Sequence, residues 1–289
     1  MISQPITITT ILLGIQGLVL FLATRRSLER LFSVLPPLFW IYFLPMMLST
    51  VGMLPAKHSV YESITMNLLP AGLILILLPV NLERILRLGP QALIVMLSGS
   101  LGIILGAPVV IFFLRPWLPA DIWKGFGALS ASWIGGSSNM LAIKEAIGTP
   151  DDLLFLMIIT DTVVVYLWMA GLIALSNVQE RFDRWNKAKI DLLRTIASRV
   201  SRLEKKNQVL EVYHLSSIVA LSLIGSRICF FIAQNLPVVE NLVAPFTWTV
   251  ILATLVGILL SETPAQELES YGASKIGYLM LFLVLASIG

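Results

Sequence analysis

The chain has 289 residues, of which 57% are hydrophobic and 13% are charged, and its mean hydropathy is +0.87. These values exclude a pair of soluble domains and predict an all-α polytopic membrane protein, with the lipid bilayer as its first partner. The net charge of +3 does not indicate nucleic-acid binding, because the basic residues concentrate in loops between apolar stretches. One cysteine and two separated histidines exclude a disulfide framework and argue against a zinc site. We therefore expect neither a metal nor a cofactor.

Five apolar stretches in the first half of the chain predict membrane-spanning helices. They are Ile6–Thr24, Pro37–Met53, Ser63–Leu82, Gln91–Leu114 and Asp151–Leu175. The third stretch carries two unusual residues, Asn67 and Pro70. Pro70 removes a backbone donor and predicts a kink, and Asn67 is a polar group at membrane depth and a candidate binding residue. An ordinary packed kink explains this pair equally well.

The fifth stretch contains Thr160, Asp161 and Thr162. At the usual helical rise Asp161 lies about 15 Å into the helix, near the bilayer middle. A carboxylate at this depth is costly and by default marks an ion or proton site, so we take all three residues as candidates. The alternative is a structural ion pair with Arg227, although arginines in spans often reach the membrane surface.

Between the fourth and fifth stretches lies Ser132-Trp-Ile-Gly-Gly-Ser-Ser-Asn139, where a glycine pair precedes small polar residues. Irregular backbone within a bilayer is tolerated only where it is buried in protein or lines a water-filled cavity. The predicted substrate- or ion-binding residues are therefore Gly135, Gly136, Ser137, Ser138 and Asn139. The last three are suitable N-caps for a following helix, whose N-terminus favours an anion. Close helix packing at the glycines is the alternative.

The stretch Asn177–Glu211 holds nine Lys/Arg against five Asp/Glu, with apolar residues at helical spacing. It predicts a basic amphipathic linker that lies on the inner leaflet, pairs as a coiled coil or simply connects two halves. The excess of positive charge in cytoplasmic loops places the N-terminus outside. The linker is then cytoplasmic only if residues 121–147 enter and leave the membrane on one face. We therefore predict a re-entrant hairpin at 121–147.

Three more apolar stretches follow the linker, at Leu215–Gln234, Leu242–Leu260 and Ile276–Gly289. They begin on the opposite side of the membrane from the first stretch, and Tyr61 is echoed by Tyr271 at an offset of 210. This order predicts an inverted-repeat bundle, with a first repeat at 1–176 and a partial second repeat at 212–289.

Four segments, in order and with matching spacing, resemble the YjcL-like membrane proteins, the family of domain of unknown function 819. They are Met47–Pro55, Leu68–Leu78, Ser132–Met140 and Thr160–Thr162. The resemblance implies kinship with the cation:proton antiporter and anion transporter superfamily, and hence a site between crossing or re-entrant elements and elevator-type movement. The site residues it carries over are Gly135, Gly136, Ser137, Asn139 and Asp161. Family members continue into a second Gly-Gly element, so the resemblance implies that this chain is either a fragment or lacks the second half of the site. Because a carrier built on inverted repeats needs both repeats, we expect that Met1–Gly289 is a truncated product that does not transport alone.

We expect a secondary transporter of a bacterial-type plasma membrane, coupled to Na⁺ or H⁺ and moving a small organic anion, with a homodimer left open. The alternative is a non-transporting regulatory or assembly protein that acts through its basic linker. We do not expect an enzyme, because neither histidine lies within a span and Asp161 has no second intramembrane aspartate.

Overall fold

The computed structural model describes residues 3–87, 89–176, 178, 181–182, 185, 209–238 and 243–289. Within these ranges the regular structure is helical, without a strand. The protein is an integral, multi-pass membrane protein, as predicted. The predicted linker Asn177–Glu211 lies almost wholly outside the described residues.

The described residues form twelve α-helices, and five of them are long and apolar enough to cross a membrane singly. The helices are α1 (Pro5–Ala23), α2 (Glu29–Val34), α3 (Pro37–Thr50), α4 (Ser59–Leu77), α5 (Leu82–Arg87), α6 (Pro90–Leu114), α7 (Ile122–Gly135), α8 (Ser137–Ile147), α9 (Asp151–Ser176), α10 (Val212–Ala233), α11 (Pro245–Ser261) and α12 (Ala273–Ile288). The five candidate spans are α1, α4, α6, α9 and α10. All eight apolar stretches predicted from the sequence form helices, although α3, α11 and α12 have only 14, 17 and 16 residues.

Proline positions set many of the helix starts. Pro5, Pro37, Pro90 and Pro245 each occupy the first turn of a helix, where the missing N–H has no intrahelical acceptor in any case. Helix α4 runs through Pro70 as one continuous element. A 3₁₀ helix at Pro264–Tyr271 follows α11, and the chain bends by 93° between the two helices.

Helix α4 is the centre of the bundle, because it packs against α10, α11 and α12. Glycines make these crossings close. A Cβ added at Gly277 of α12 would lie 2.9 Å from the carbonyl oxygen of Gly72 in α4, and one at Gly257 of α11 would lie 2.9 Å from the Cβ of Leu77. A Cβ at Gly225 of α10 would lie 3.0 Å from the side chain of Ile74. Small residues of this kind let helix backbones approach within a membrane.

Helix α6 is packed very differently. None of its residues is buried, and it contacts chiefly α7. A Cβ added at Gly99, Gly102 or Gly106 would meet nothing within 4 Å. These glycines therefore do not serve close helix packing within the described chain, and α6 stands at the edge of the bundle.

Helices α7 and α8 form an antiparallel hairpin. At its open end the hydroxyl of Thr149 donates to the carbonyl of Lys124 at 3.2 Å, and a Cβ added at Gly127 would lie 3.0 Å from the side chain of Ile147. At the closed end the chain reverses at Gly136, whose φ is +87°. The two ends of the segment 121–147 thus lie side by side.

Gly136 is also the N-cap of α8, and no side chain caps this helix. The prediction that Ser137, Ser138 or Asn139 provides the cap is therefore wrong. The reason is conformational, since a positive φ is adopted at low energy only by glycine. Glycine at the reversal lets the helix begin at Ser137 itself.

The glycine crossing at the bundle centre can be tested with matched substitutions. Gly277→Ala should lower the free energy of unfolding by about 1–3 kcal/mol, because the added methyl group overlaps the backbone of α4. Gly102→Ala introduces the same methyl group into open space on α6 and should change stability by no more than about 1 kcal/mol. Thermal unfolding in one detergent measures both. Equal stability of the two variants would contradict the packing described here.

Candidate functional site

A cavity of about 310 Å³ lies where the tip of the α7–α8 hairpin meets α9. Asp161 comes from α9, Ser132 from the last turn of α7, and Gly136 and Ser137 from the reversal. The hydroxyl of Ser132 donates to a carboxylate oxygen of Asp161 at 2.9 Å. The remaining lining residues are Pro36, Leu38, Phe39, Met140, Ile158, Thr162, Val165 and Tyr166. The walls are thus mostly apolar, with a small number of polar groups among them.

The charge of Asp161 has no protein counter-charge among the described residues, since the ion pairs found there involve other groups. The side chain is partly exposed, within a helix long and apolar enough to span the membrane. One neutral hydroxyl does not neutralise a carboxylate at this depth. A cation or a proton is therefore the natural partner of Asp161.

The structure brings some of the other predicted residues to this cavity and leaves others outside it. Thr162 lines the cavity, but its hydroxyl donates to the carbonyl of Ile158 in its own helix at 2.8 Å. Thr160 is exposed and donates likewise to Leu156. Three of the predicted hairpin residues do not line the cavity: Ser138 is buried, and Gly135 and Asn139 are exposed.

Gly135 has a packing role beside the reversal. A Cβ added there would overlap the side-chain amide of Asn139, which lies against it. The predicted pair of glycines therefore has two separate functions. Gly136 provides the backbone reversal, and Gly135 provides the space for Asn139.

Asn67 and Arg227 lie elsewhere in the bundle. The amide of Asn67 donates to the carbonyl of Ser63, one turn earlier in α4, at 2.7 Å. The guanidinium of Arg227 lies 5.1 Å and 5.5 Å from the ring centres of Phe230 and Phe231. Arg227 is exposed, and the structure does not pair it with Asp161.

Ser132 is the site residue that the sequence did not single out, although it opens the central motif. The spacing between Ser132 and Gly136 is the sequence signal that could have identified it. Ser132 precedes Gly136 by four residues, so it lies on the helix face that reaches the reversal, and its own carbonyl accepts from the N–H of Gly136 at 2.7 Å. A hydroxyl one turn before a glycine break is therefore well placed to face the cavity at the tip.

A second, more polar cavity of about 430 Å³ lies at the open end of the hairpin. At its centre the ammonium of Lys144 is 2.6 Å from a carboxylate oxygen of Glu145 and 2.8 Å from one of Asp151. Polar groups from α4 and the loop before it also line this cavity, namely Lys57, His58, Tyr61, Glu62 and Thr65. Asp151 precedes Asp161 by ten residues on α9, so the two cavities are about 15 Å apart along that helix.

Lys144 is held as an ammonium ion although it is buried. Burial lowers its pKa, but the neighbouring carboxylates of Glu145 and Asp151 outweigh that effect and raise the pKa above the usual value. Its positive charge is therefore present at neutral pH. The pair with Asp151 ties the second arm of the hairpin to the start of α9.

A family model described as a protein of unknown function (DUF819) matches residues 10–289. The chain belongs to this family. One relative in it, the uncharacterized membrane protein YjcL of Bacillus subtilis (strain 168), is 28% identical over 130 residues. The matched segment is 45% of this chain, and it spans only 33% of the length of that relative. No solved structure matches the chain. The resemblance of this DUF819 protein to YjcL-like membrane proteins is confirmed.

The tie at the hairpin base gives a stability prediction for this DUF819 protein. Lys144→Met should lower the free energy of unfolding by about 1–3 kcal/mol, because it leaves the largely buried Glu145 without its cation and removes the ion pair with the exposed Asp151. Lys275→Met, at an exposed position on α12, is the matched control and should stay within about 0.5 kcal/mol of the parent protein. Chemical or thermal unfolding measures the stability of both variants. Similar losses of stability in the two variants would show that the ion pairs of Lys144 contribute little.

Proposed function

We propose that this protein is a secondary transporter that couples the movement of a small organic anion to Na⁺ or H⁺. The observation that carries the proposal is that Asp161 meets the broken backbone of a helical hairpin in one cavity. Asp161 lies in a membrane span and has no counter-charge among the described residues. Intramembrane ionisable residues and broken helices are the two features that mark ion and substrate sites in transporters.

The two ends of the proposed site carry opposite electrostatic character. The first N–H groups of α8, at Ser137 and Ser138, have no carbonyl one turn earlier, and the helix dipole is positive there. This end favours the carboxylate of an organic anion. Asp161 repels the same anion until a cation or a proton neutralises it. Each ligand therefore raises the affinity for the other, which is the thermodynamic basis of coupled transport.

The packing of the helices supports an inverted repeat and, with it, the proposed kinship with the cation:proton antiporter and anion transporter superfamily. If α1, α3 and α4 correspond to α10, α11 and α12, the main contacts between neighbouring helices have counterparts. Helix α4 packs on α10 and α11, while α12 packs on α1 and α3. Helix α1 packs on α3, while α10 packs on α11. The glycine crossing of α4 with α12 lies at the centre of this pattern.

Two polar contacts repeat in the same way. The side-chain amide of Gln16 in α1 donates to the carbonyl of Leu279 in α12 at 3.0 Å. The hydroxyl of Ser226 in α10 lies 3.4 Å from the carbonyl oxygen of Asn67 in α4. Gln16 and Ser226 are 210 residues apart, and Asn67 and Leu279 are 212 apart, close to the offset of 210 between Tyr61 and Tyr271. Inverted repeats around a central site are the usual basis of alternating access by elevator movement.

In the proposed orientation the N-terminus is outside the cell and the linker is cytoplasmic. Residues 121–147 then re-enter from the outer face, with Gly136 at depth. The second cavity, at Lys144 and Asp151, becomes the outer vestibule of the site. The alternative function, a regulatory role of the basic linker, stays a prediction because it rests on residues almost wholly outside the described ranges.

Single cysteines introduced into a Cys229→Ser background test this topology. Ala120→Cys and Asp152→Cys lie at exposed positions before and after the hairpin, and Val178→Cys lies at an exposed position beyond α9. An impermeant thiol reagent should label the first two in intact cells and the third only after permeabilisation. Labelling of Ala120→Cys and Asp152→Cys from opposite faces would overturn the re-entrant arrangement.

The site itself is tested by ligand-dependent stability. Sodium ions, with potassium as the reference, and a panel of small organic acids should raise the melting temperature of the purified protein. A ligand at 100 times its dissociation constant adds about 2.7 kcal/mol. Asp161→Asn should abolish the sodium or pH dependence while leaving the fold intact, because it removes charge but little volume.

Asp152→Asn, at an exposed position in the first turn of the same helix, is the matched control and should respond as the parent does. If Asp161→Asn unfolds without any ligand, and an exchange of charges with Arg227 restores it, Asp161 has a structural role and the proposed site is wrong.

A further inference from the structure

A large cavity among the described residues lies outside the proposed transport site. It is a groove of about 890 Å³ between α6 and the outer face of α7. Its walls are apolar, with branched and aromatic side chains contributed by both helices: Ile104, Ile111, Phe112, Phe126 and Ile134. Because no residue of α6 is buried, this groove opens toward the lipid.

One end of the groove carries a free positive charge. Arg115, the residue after α6, lines it, is exposed and forms no ion pair with any described residue. Two tryptophans stand beside this end: Trp117 is 78% exposed, and Trp123, which also lines the groove, is 40% exposed. Exposed tryptophans next to basic residues are typical of the membrane–water interface. The charged end of the groove therefore lies at headgroup level, and the apolar part extends into the hydrocarbon.

The length of the groove fits a lipid acyl chain. Its lining follows α7 from Ile122 to Ile134, which is about 18 Å at the helical rise. One leaflet contributes about half of a hydrocarbon thickness of roughly 30 Å, so the groove is about as long as the chain of a lipid in one leaflet. The exposed Arg115 at its end adds a positive charge at headgroup level, and this charge favours a lipid with an anionic headgroup as the occupant.

We infer that this groove is a binding site for an anionic phospholipid, whose phosphate pairs with Arg115 and whose acyl chain lies between α6 and α7. Apolar walls left without neighbours would lose their dispersion contacts, and the chain supplies them. The guanidinium supplies the preference for an anion, through charge-assisted hydrogen bonds. The bound lipid then fills the space that the side chains of α6 and the hairpin leave open between them.

The experiment compares three additives on the purified protein in one detergent: phosphatidylglycerol, phosphatidylcholine with the same acyl chains, and glycerol 3-phosphate without a chain. Phosphatidylglycerol should raise the melting temperature by several degrees and more than phosphatidylcholine does, and glycerol 3-phosphate should have no effect. Arg115→Gln should weaken the response to phosphatidylglycerol about tenfold and leave it equal to that for phosphatidylcholine. Ala107→Phe, which fills the groove from α6, should remove the response to both lipids.

Two controls keep the comparison specific. Arg26→Gln removes an exposed arginine at a distant loop, and Ala92→Phe places the same ring on α6 away from the groove lining. Both should respond to lipid as the parent does. An unchanged preference for phosphatidylglycerol in Arg115→Gln would overturn the inference, as would equal stabilisation by glycerol 3-phosphate. It would also be overturned if Phe112→Cys, in the Cys229→Ser background, cross-linked two copies and phosphatidylglycerol gave no stabilisation.

Discussion

The fold depends on the backbone contact between α4 and α12 at Gly72 and Gly277. Each glycine leaves room for the carbonyl of the other, so the two helices approach more closely than side chains would allow. Further close crossings at Gly225 and Gly257 bring α10 and α11 onto the same helix. In a membrane, where lipid is as apolar as leucine, this close packing replaces the hydrophobic effect as the source of association. Everything else in the bundle is arranged around α4.

The polar groups of the candidate site are held at the margin of this packed centre. The hairpin contacts α9 through α7 and α11 through α8, and its base is tied by Lys144 and Asp151. The tip depends on one unusual backbone angle, at Gly136. The site therefore combines a base tied by ion pairs with a tip whose backbone reversal requires glycine.

Much of this architecture could be predicted from the sequence because the apolar stretches and prolines mark helices directly. The eight stretches and the hairpin break at Gly135–Gly136 were recognisable in this way, as was the importance of Asp161. The bonds between segments were not. The partner of Asp161 is Ser132, and the partner of Lys144 is Asp151, and both pairs depend on how the hairpin folds back. Glycines alone did not predict packing either. Gly72 in α4 lies at a close helix crossing, whereas the glycines of α6 face open space.

The position of α4 in the chain has a consequence for biogenesis. Its main partners begin at Val212, about 130 residues after α4 ends, so α4 leaves the ribosome long before α10, α11 and α12 exist. At about 5–20 residues per second this interval is roughly 10–30 s. During it Gly72 faces lipid or a chaperone rather than a helix. The first half of the protein therefore waits in the membrane in an immature form, and quality control has its best opportunity to act before the second half arrives.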